Sequence, residues 1–171
     1  MALRPGRTTR TIKRPWTRVS QRKPKKSYVV GVPFPKIHVF EMGDKNKSFD
    51  TQMWLQVENS VQIRENALEA ARIVANKYLE KTLGKEGFFM KVLVYPHQIL
   101  REHSLATGAG ADRFSSGMRK PFGKPKGRAA IVYAGDKIML LKINKNQINI
   151  GKEALHRAIT KLPTPCKIVI Q

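Results

Sequence analysis

Cysteine is almost absent from this chain of 171 residues, since Cys166 is its only example. A single cysteine cannot form a disulfide within the chain, which favours a reducing compartment and predicts a cytoplasmic protein. No apolar run approaches the roughly 18 residues that a membrane-spanning helix needs. The basic N-terminus also lacks the apolar stretch of a secretory signal, so we expect neither a membrane anchor nor export.

Acidic residues are scarce too. The chain has 12 Asp and Glu against 33 Lys and Arg, which gives a formal net charge of +21 and an isoelectric point near 10.5. Such a charge opposes compaction of the free protein, and a polyanionic partner relieves the repulsion. Nucleic acid is the first candidate for that partner, and an anionic membrane surface is the alternative.

The basic charge is concentrated in two places, and the first is an N-terminal arm over residues 1–27. The arm has no hydrophobic periodicity, and its prolines oppose regular structure. We expect it to be disordered alone and extended along RNA when bound, with Trp16 either stacking on a base or packing on the body. Its basic residues are Arg4, Arg7, Arg10, Lys13, Arg14, Arg18, Arg22, Lys23, Lys25 and Lys26, and it contains no acid.

The second concentration is a long glycine-rich segment at about 101–128. It holds few large apolar residues, so it cannot fill a core, and it is far longer than the usual connection of about 4–6 residues. Glycine allows close approach of the backbone to phosphates, although a solvated linker would have the same composition. Two acids, Glu102 and Asp112, stand against the basic residues Arg101, Arg113, Arg119, Lys120, Lys124, Lys126 and Arg128.

The remaining sequence, residues 28–171, predicts one α+β domain. Apolar alternation favours strands at 36–40 and 51–58, and a nearly continuous apolar run predicts a central strand at 88–95. The turn at 134–136 predicts a hairpin between strands at 129–133 and 137–143. A short helical turn is expected at 97–101 and a last strand at 166–170. We therefore predict a mixed β-sheet sandwich with two helices packed on one face.

The first predicted helix covers residues 66–83. Asn66 with Glu69 has the spacing of a capping box, and Gly84 suits the position after the helix. Its apolar stripe comprises Ala67, Ala70, Ala71, Val74, Ala75, Tyr78 and Leu79. A second helix is predicted from about Gly151 to Pro163, with its stripe formed by Ala154, Leu155, Ala158, Ile159 and Leu162.

The sequence contains no pattern of a catalytic, metal or cofactor site. Its four histidines have no zinc-ligand spacing, and Cys166 sits in a short apolar strand that favours a packed, inert thiol. His103 and Asp112 could form an acid–base pair, or each could make hydrogen bonds within the loop. We therefore predict a protein that is not an enzyme and needs no cofactor.

Several motifs resemble one known family. The run TGAGADR at 107–113, GMR at 117–119 and FGKPKG at 122–127 resemble the long loop of a universal ribosomal protein family, called L-sixteen in bacteria and L-ten-e in archaea and eukaryotes. The segment GVPFPKI at 31–37 with Phe40 resembles its opening strand, and NALEAAR at 66–72 resembles its first helix. The resemblance covers nearly the whole chain from Arg4, is weakest at 8–26, and is closest to the archaeal form.

The resemblance implies an α+β fold with a hammerhead-like β motif, a long basic loop and a basic N-terminal arm. It implies a structural constituent of the large ribosomal subunit that binds rRNA near the central protuberance, shapes the aminoacyl-tRNA corridor beside the peptidyl-transferase centre and takes part in subunit maturation. Partners would be large-subunit rRNA, tRNA acceptor ends and neighbouring ribosomal proteins. The basic residues of arm and loop would bind rRNA, and Gly108, Ala109, Gly110, Ala111 and Asp112 would form the tip near tRNA.

Two other classes of protein are compatible with the residues alone. An RNA-processing enzyme would use His103 and Asp112 as acid and base, and turnover of RNA by the purified protein would identify it. A DNA-packaging protein would bind duplex DNA as tightly as structured RNA.

Overall fold

The computed structural model of the chain describes residues 4–12, 29–103, 109–110 and 123–171. In this part of the chain two helices and eight strands confirm the predicted α+β class. The helices are α1 (Glu65–Leu83) and α2 (Ile148–Ile159), and short 3₁₀ turns occur at Gly6–Thr8 and Lys145–Gln147. The strands are β1 (Glu41–Gly43), β2 (Thr51–Val57), β3 (Val61–Arg64), β4 (Phe89–Val92), β5 (Gln98–Glu102), β6 (Lys124–Val132), β7 (Lys137–Ile143) and β8 (Cys166–Ile170).

The strands form two antiparallel sheets rather than the single mixed sheet that the sequence suggested. The larger sheet has the order β1-β4-β7-β2-β8, and the smaller has the order β3-β6-β5. Helix α2 packs on β2, β7 and β8, whereas α1 packs on α2 and also contacts β3 and β6. The helices therefore connect the two sheets through one core, which includes Met53, Leu79, Phe88, Met90 and Leu141.

Strand β2 follows its predicted alternation. Thr51, Met53, Leu55 and Val57 are buried, and the residues between them are partly exposed. The run predicted as a central strand at 88–95 contains β4, which lies between β1 and β7 and so has a neighbour on each side. The predicted last strand is β8, and it pairs with β2.

Helix α1 ends where the sequence predicted but is not capped as predicted. The N–H of Gly84 donates to the Glu80 carbonyl at 3.1 Å, and its φ of +74° suits glycine. The helix begins at Glu65, so Asn66 lies inside it and makes no side-chain cap. Glu69 instead accepts a hydrogen bond from Arg72 Nε at 2.9 Å, one turn further along. The buried stripe is centred on Leu68, Ala71, Ala75 and Leu79, and the predicted Ala67, Ala70, Val74 and Tyr78 flank it.

Two local predictions, one of a strand and one of a helical turn, are wrong. Residues 36–40 precede β1 and are not a strand, and residues 97–101 fall largely in β5 instead of a helical turn. The sequence analysis also missed β3. Segments β3 and β5 take their strand conformation from pairing with β6, which is distant in sequence, and not from their own periodicity.

The predicted hairpin between 129–133 and 137–143 is also wrong. The turn itself is present, since Asp136 N–H donates to the Tyr133 carbonyl at 3.0 Å and Tyr133 N–H donates to Asp136 Oδ2 at 2.7 Å. However, β6 pairs with β3 and β5, whereas β7 pairs with β2 and β4. The turn therefore carries the chain from one sheet to the other.

Candidate nucleic-acid interface

The small sheet organises the basic residues that the sequence placed in a loop. Strands β5 and β6 pair antiparallel with Glu102 opposite Lys124, so residues 103–123 connect two adjacent strand ends. Arg101, Lys124, Lys126 and Arg128 accordingly belong to strands and not to a loop. The structure thus supplies a paired base from which the long segment leaves and to which it returns.

Gly123 closes this base. Its φ is +104°, and a Cβ at this position would lie 2.6 Å from the backbone carbon and oxygen of Glu102. Only glycine tolerates both the backbone conformation and the close approach. The need for glycine at position 123 therefore fixes where the 103–123 segment returns to the small sheet.

Two lysines of β6 are exposed beside this base. Leu100 faces Gly127 and Arg101 faces Pro125, so Lys126 is the extra residue of a bulge. Lys124 and Lys126 are both exposed. Arg101 is partly buried, and its Nε makes no hydrogen bond within the described part of the chain.

Arg128 makes several contacts with the rest of the protein. Its Nε donates to the Pro33 carbonyl at 3.1 Å, and its Nη1 lies 3.5 Å from the Tyr95 hydroxyl. Its backbone N–H donates to Oε1 of Glu65 at 3.3 Å. The guanidinium therefore holds the segment before β1, residues 29–40, against the small sheet. We call this segment the connector, and this role of Arg128 was not predicted from the sequence.

Glu65 also binds this connector. Its carboxylate is only 5% exposed, and its Oε2 accepts the Lys36 N–H at 2.9 Å. Because Glu65 is the first residue of α1, the positive end of the helix dipole favours its negative charge there. One carboxylate thus joins the connector, the start of α1 and strand β6.

Part of the N-terminal arm is docked on the body. Gln62 of β3 donates from its backbone N–H to the Arg10 carbonyl and from its side-chain amide to the Thr11 carbonyl, both at 2.9 Å. Arg64 Nη1 donates to the Arg4 carbonyl at 2.7 Å. Residues 4–12 therefore lie along the edge strand β3 and do not extend away from the body.

This docking leaves Arg7 and Arg10 exposed on the surface that also carries β3. Arg4 Nε instead donates to Glu102 Oε1 at 2.7 Å. The described part of the chain thus brings Arg4, Arg7 and Arg10 to the small sheet that carries Lys124 and Lys126. Gln62 is buried in the structure, but nothing in the local sequence distinguishes it from a surface glutamine, so this contact was not predictable.

The other predicted interface residues lie outside the described residues. In the arm these are Lys13, Arg14, Arg18, Arg22, Lys23, Lys25 and Lys26, and in the long segment they are Arg113, Arg119 and Lys120. Of the predicted tip, Ala109 and Gly110 are described, and Gly110 has a φ of +79°. Gly108, Ala111 and Asp112 are not among the described residues, so the pairing of His103 with Asp112 stays a prediction.

A second basic surface, which the sequence analysis did not identify, lies on the large sheet. Lys91 and Lys142 point away from the face that α2 covers, and with Lys45 and Lys47 they line a cleft of about 310 Å³. Phe89, Leu140 and Glu41 complete its lining. Hydrogen bonds from Lys91 and Lys45 hold the pKa of Glu41 below its ordinary value, so this acid stays ionised and offsets part of the charge.

The described residues offer little for catalysis. Burial, with a smaller effect of nearby Glu58, raises the pKa of the Cys166 thiol to about 11, so the thiol stays protonated at neutral pH. Within the described ranges, no group of three or more His, Cys, Asp or Glu side chains is placed to hold a metal ion. Among the described residues, no helix is both long enough and apolar enough to cross a membrane.

Comparison with known proteins gives a consistent family. The family model described as ribosomal protein L16p/L10e matches residues 16–169. A protein of Archaeoglobus fulgidus named "Large ribosomal subunit protein uL16" is 48% identical over 171 residues, covering 100% of this chain and 94% of that protein. Proteins of the same name from Picrophilus torridus and Methanococcus maripaludis are similar too. The first is 49% identical over 85% of this chain and 83% of its own length, and the second is 46% identical over 99% and 95%.

These matches cover nearly the whole chain, and they include the strands, the helices and the basic segments described above. The resemblance that the motifs suggested is thereby confirmed, including its archaeal type. The chain belongs to the ribosomal protein L16p/L10e family.

Proposed function

We propose that this protein is a structural constituent of the large ribosomal subunit that binds large-subunit rRNA through the small sheet and the segments next to it. Membership of a ribosomal protein family makes it a component of the translation machinery rather than an enzyme. As a ribosomal protein it works in the cytoplasm, and its immediate partners are rRNA and other ribosomal proteins.

The observation that supports rRNA binding most directly is the concentration of exposed basic side chains on the small sheet and on the N-terminal segment docked against it. Arg7, Arg10, Lys124 and Lys126 are exposed there, while the nearby acid Glu102 is paired with Arg4. In a chain of net charge +21 such clustering raises the energy of the free protein. A phosphate backbone that neutralises these groups and releases counterions reverses that cost.

The finer placement rests on the resemblance of the 107–127 motifs. We propose that the protein binds near the central protuberance and that residues 108–112 reach toward tRNA acceptor ends, so that the protein shapes the aminoacyl-tRNA corridor and completes subunit maturation. The remaining basic residues of the arm and of the 103–123 segment would extend the rRNA contact. The hammerhead-like β motif and the long basic loop belong to the same proposal.

Binding to rRNA is tested by affinity as a function of salt. With about 6–10 phosphate contacts, affinity should fall roughly 10³–10⁵-fold between 50 and 200 mM salt, on the scale of duplex DNA. The protein should also co-sediment with the large subunit in moderate salt. A nearly flat salt response would remove phosphate contact as the main source of affinity, and equal affinity for duplex DNA would favour DNA packaging instead.

The role of the tip is tested by replacing residues 106–113 with a short Gly/Ser linker. Changing loop length costs only about 0.6 kcal/mol per doubling, so fold and rRNA docking should be nearly unchanged. Single-turnover peptide-bond formation on reconstituted subunits should slow, because misplacement of the acceptor end is costly in rate. Unchanged rate with normal binding would make the tip a passive linker, and lost binding would make it an rRNA anchor.

A matched control separates the two roles. Replacing both Lys124 and Lys126 with alanine removes charge from the sheet without touching residues 106–113. This variant should weaken rRNA binding and reduce its salt dependence. Once it is bound at saturating protein, it should support the normal rate of peptide-bond formation.

A further inference from the structure

We propose that Phe34, together with the ring pair Tyr95–His97, forms a stacking platform that binds unpaired bases of RNA. The inference rests on the proposed function, and it adds the kind of RNA that this surface recognises. It is carried by an exposed aromatic side chain on an anchored backbone, by a group of contacting rings and by one arginine that contacts both places.

Phe34 is the most exposed large apolar residue in the described part of the chain, with 90% of its surface accessible. It stands between Pro33 and Pro35, whose rings fix the backbone on both sides. The segment is also fastened to the body, since the Pro33 carbonyl accepts from Arg128 Nε and the Lys36 N–H donates to Glu65. The phenyl ring is therefore presented outward by a rigid, anchored backbone.

Tyr95 provides the second ring surface. It is 40% exposed, and it stacks on Phe40 with ring centroids 5.7 Å apart and an interplanar angle of 26°. The exposed His97 also contacts Tyr95, with ring centroids 4.7 Å apart and an interplanar angle of 55°. Because Phe40 packs against the hydrophobic core, the stack is supported from within and its outer rings face solvent.

Arg128 brings the two aromatic surfaces together. The same guanidinium that holds the Pro33 carbonyl lies 3.5 Å from the Tyr95 hydroxyl. Arg128 therefore contacts both Tyr95 and Pro33, the residue directly before Phe34. Arg128 belongs to β6, which also carries the exposed Lys124 and Lys126, and the exposed Lys36 follows Phe34 by two residues.

This combination favours unpaired bases over other ligands. Aromatic side chains stack on bases that are splayed out of loops and bulges, whereas a duplex hides the faces of its bases. The neighbouring lysines would meet the phosphates on either side of a stacked base. A neighbouring protein would need acidic and apolar complementarity at the same place, so the charge of this surface favours RNA.

The test compares Phe34→Ala with wild type, both as the full chain, for binding to large-subunit rRNA at several salt concentrations. Loss of one stacked base should weaken binding about 5- to 150-fold. The slope of affinity against salt should not change, because no phosphate contact is removed. Phe34→Trp should keep wild-type affinity, since it preserves a stacking ring.

Two control variants make the result specific. Tyr133→Ala removes another exposed aromatic, 58% accessible and located just after the opposite end of β6, and it should leave affinity unchanged. Lys124→Ala should instead lower the salt slope by about one counterion. All variants should unfold at the wild-type temperature, and a fully paired RNA duplex should not distinguish Phe34→Ala from wild type.

Several outcomes would overturn the proposal. Unchanged rRNA affinity of Phe34→Ala would remove the platform while leaving rRNA binding by the chain intact. A loss equal to that of Tyr133→Ala would show a general effect of surface apolar area. Normal binding to naked rRNA with impaired incorporation into subunits would assign Phe34 to a protein neighbour. Failure of the wild-type chain to bind rRNA would instead reject the proposed function and the platform with it.

Discussion

Arg4 and Glu102 are joined by an ion pair in which Nε and Oε1 lie 2.7 Å apart, although 98 residues separate them in the sequence. The pair connects the N-terminal segment to the strand that leads into the long basic segment. The N-terminal end of the arm is thus in contact with the base of the long basic segment, although the sequence treats the two extensions as separate. Both side chains are partly exposed, so water and salt weaken the attraction between them.

A double-mutant cycle measures this connection. Arg4→Ala, Glu102→Gln and the combined variant should give a coupling free energy of about 0.2–1 kcal/mol, the usual range for partly exposed ion pairs. The coupling should shrink at high salt. Urea unfolding at two salt concentrations provides the measurement, and a coupling that does not respond to salt would show that packing rather than charge joins the residues.

Gly123→Ala should destabilise the base of the 103–123 segment. The added Cβ meets the Glu102 backbone at 2.6 Å, and the φ of +104° is itself unfavourable for alanine, which together should cost more than about 1–3 kcal/mol. Gly84→Ala is the matched control, because its φ is +74° but nothing lies within 4 Å of the new Cβ. Free energies of unfolding that are equal in the two variants would refute the close approach.

Glu65→Ala should be costly although no catalytic role is involved. It leaves the partly buried N–H groups of Lys36 and Arg128 without their acceptor, and each such group costs up to about 1–3 kcal/mol. Glu65→Gln keeps one acceptor oxygen and should cost less. Glu80→Ala, on an exposed position of the same helix, should change the free energy of unfolding by no more than about 0.5 kcal/mol.

Cys166 should respond to pH differently in the folded and unfolded protein. Burial raises its thiol pKa from an ordinary value of 9.0 to about 11, so the folded state holds the proton more tightly. The resulting stability is fully present below pH 9 and is lost as pH rises toward 11. Comparison of unfolding curves for wild type and Cys166→Ala across this window isolates the contribution of the thiol.

Alkylation provides an independent check on the same thiol. Iodoacetamide should react slowly with the native protein at pH 8 and faster as the pH approaches 11, because the thiolate is the nucleophile. In urea the reaction should reach half its maximal rate near pH 9. Equal rates for folded and unfolded protein at pH 8 would contradict the effect of burial.

Much of the local structure was predictable because it depends on neighbouring residues. The alternating pattern at 51–58 correctly predicted the buried face of β2, and Gly84 correctly predicted where α1 ends. The motifs of the 107–127 segment were specific enough to indicate the family. The charge of the arm and of β6 likewise indicated a polyanionic partner before any contact was known.

The roles of individual side chains were less accessible. Arg128 resembles Lys124 and Lys126 in the sequence, yet it binds Pro33 and Tyr95 while the lysines are exposed. Residues 97–101 resemble a helical turn until β6 provides a pairing partner. Asn66 has the spacing of a cap, but the helix begins one residue earlier at a buried Glu65.

The sequence by itself determined the class of the fold, the ends of its most regular elements, the family and the sign of the partner's charge. These properties follow from composition and from periodicity over a few residues, which are local. The tertiary structure decided that β6 joins β3 and β5 and not β7, that residues 4–12 dock on β3, and that Arg128 contacts both Pro33 and Tyr95. Strand pairing and exposure depend on groups far apart in the chain, whose relative free energies only the assembled fold brings into competition.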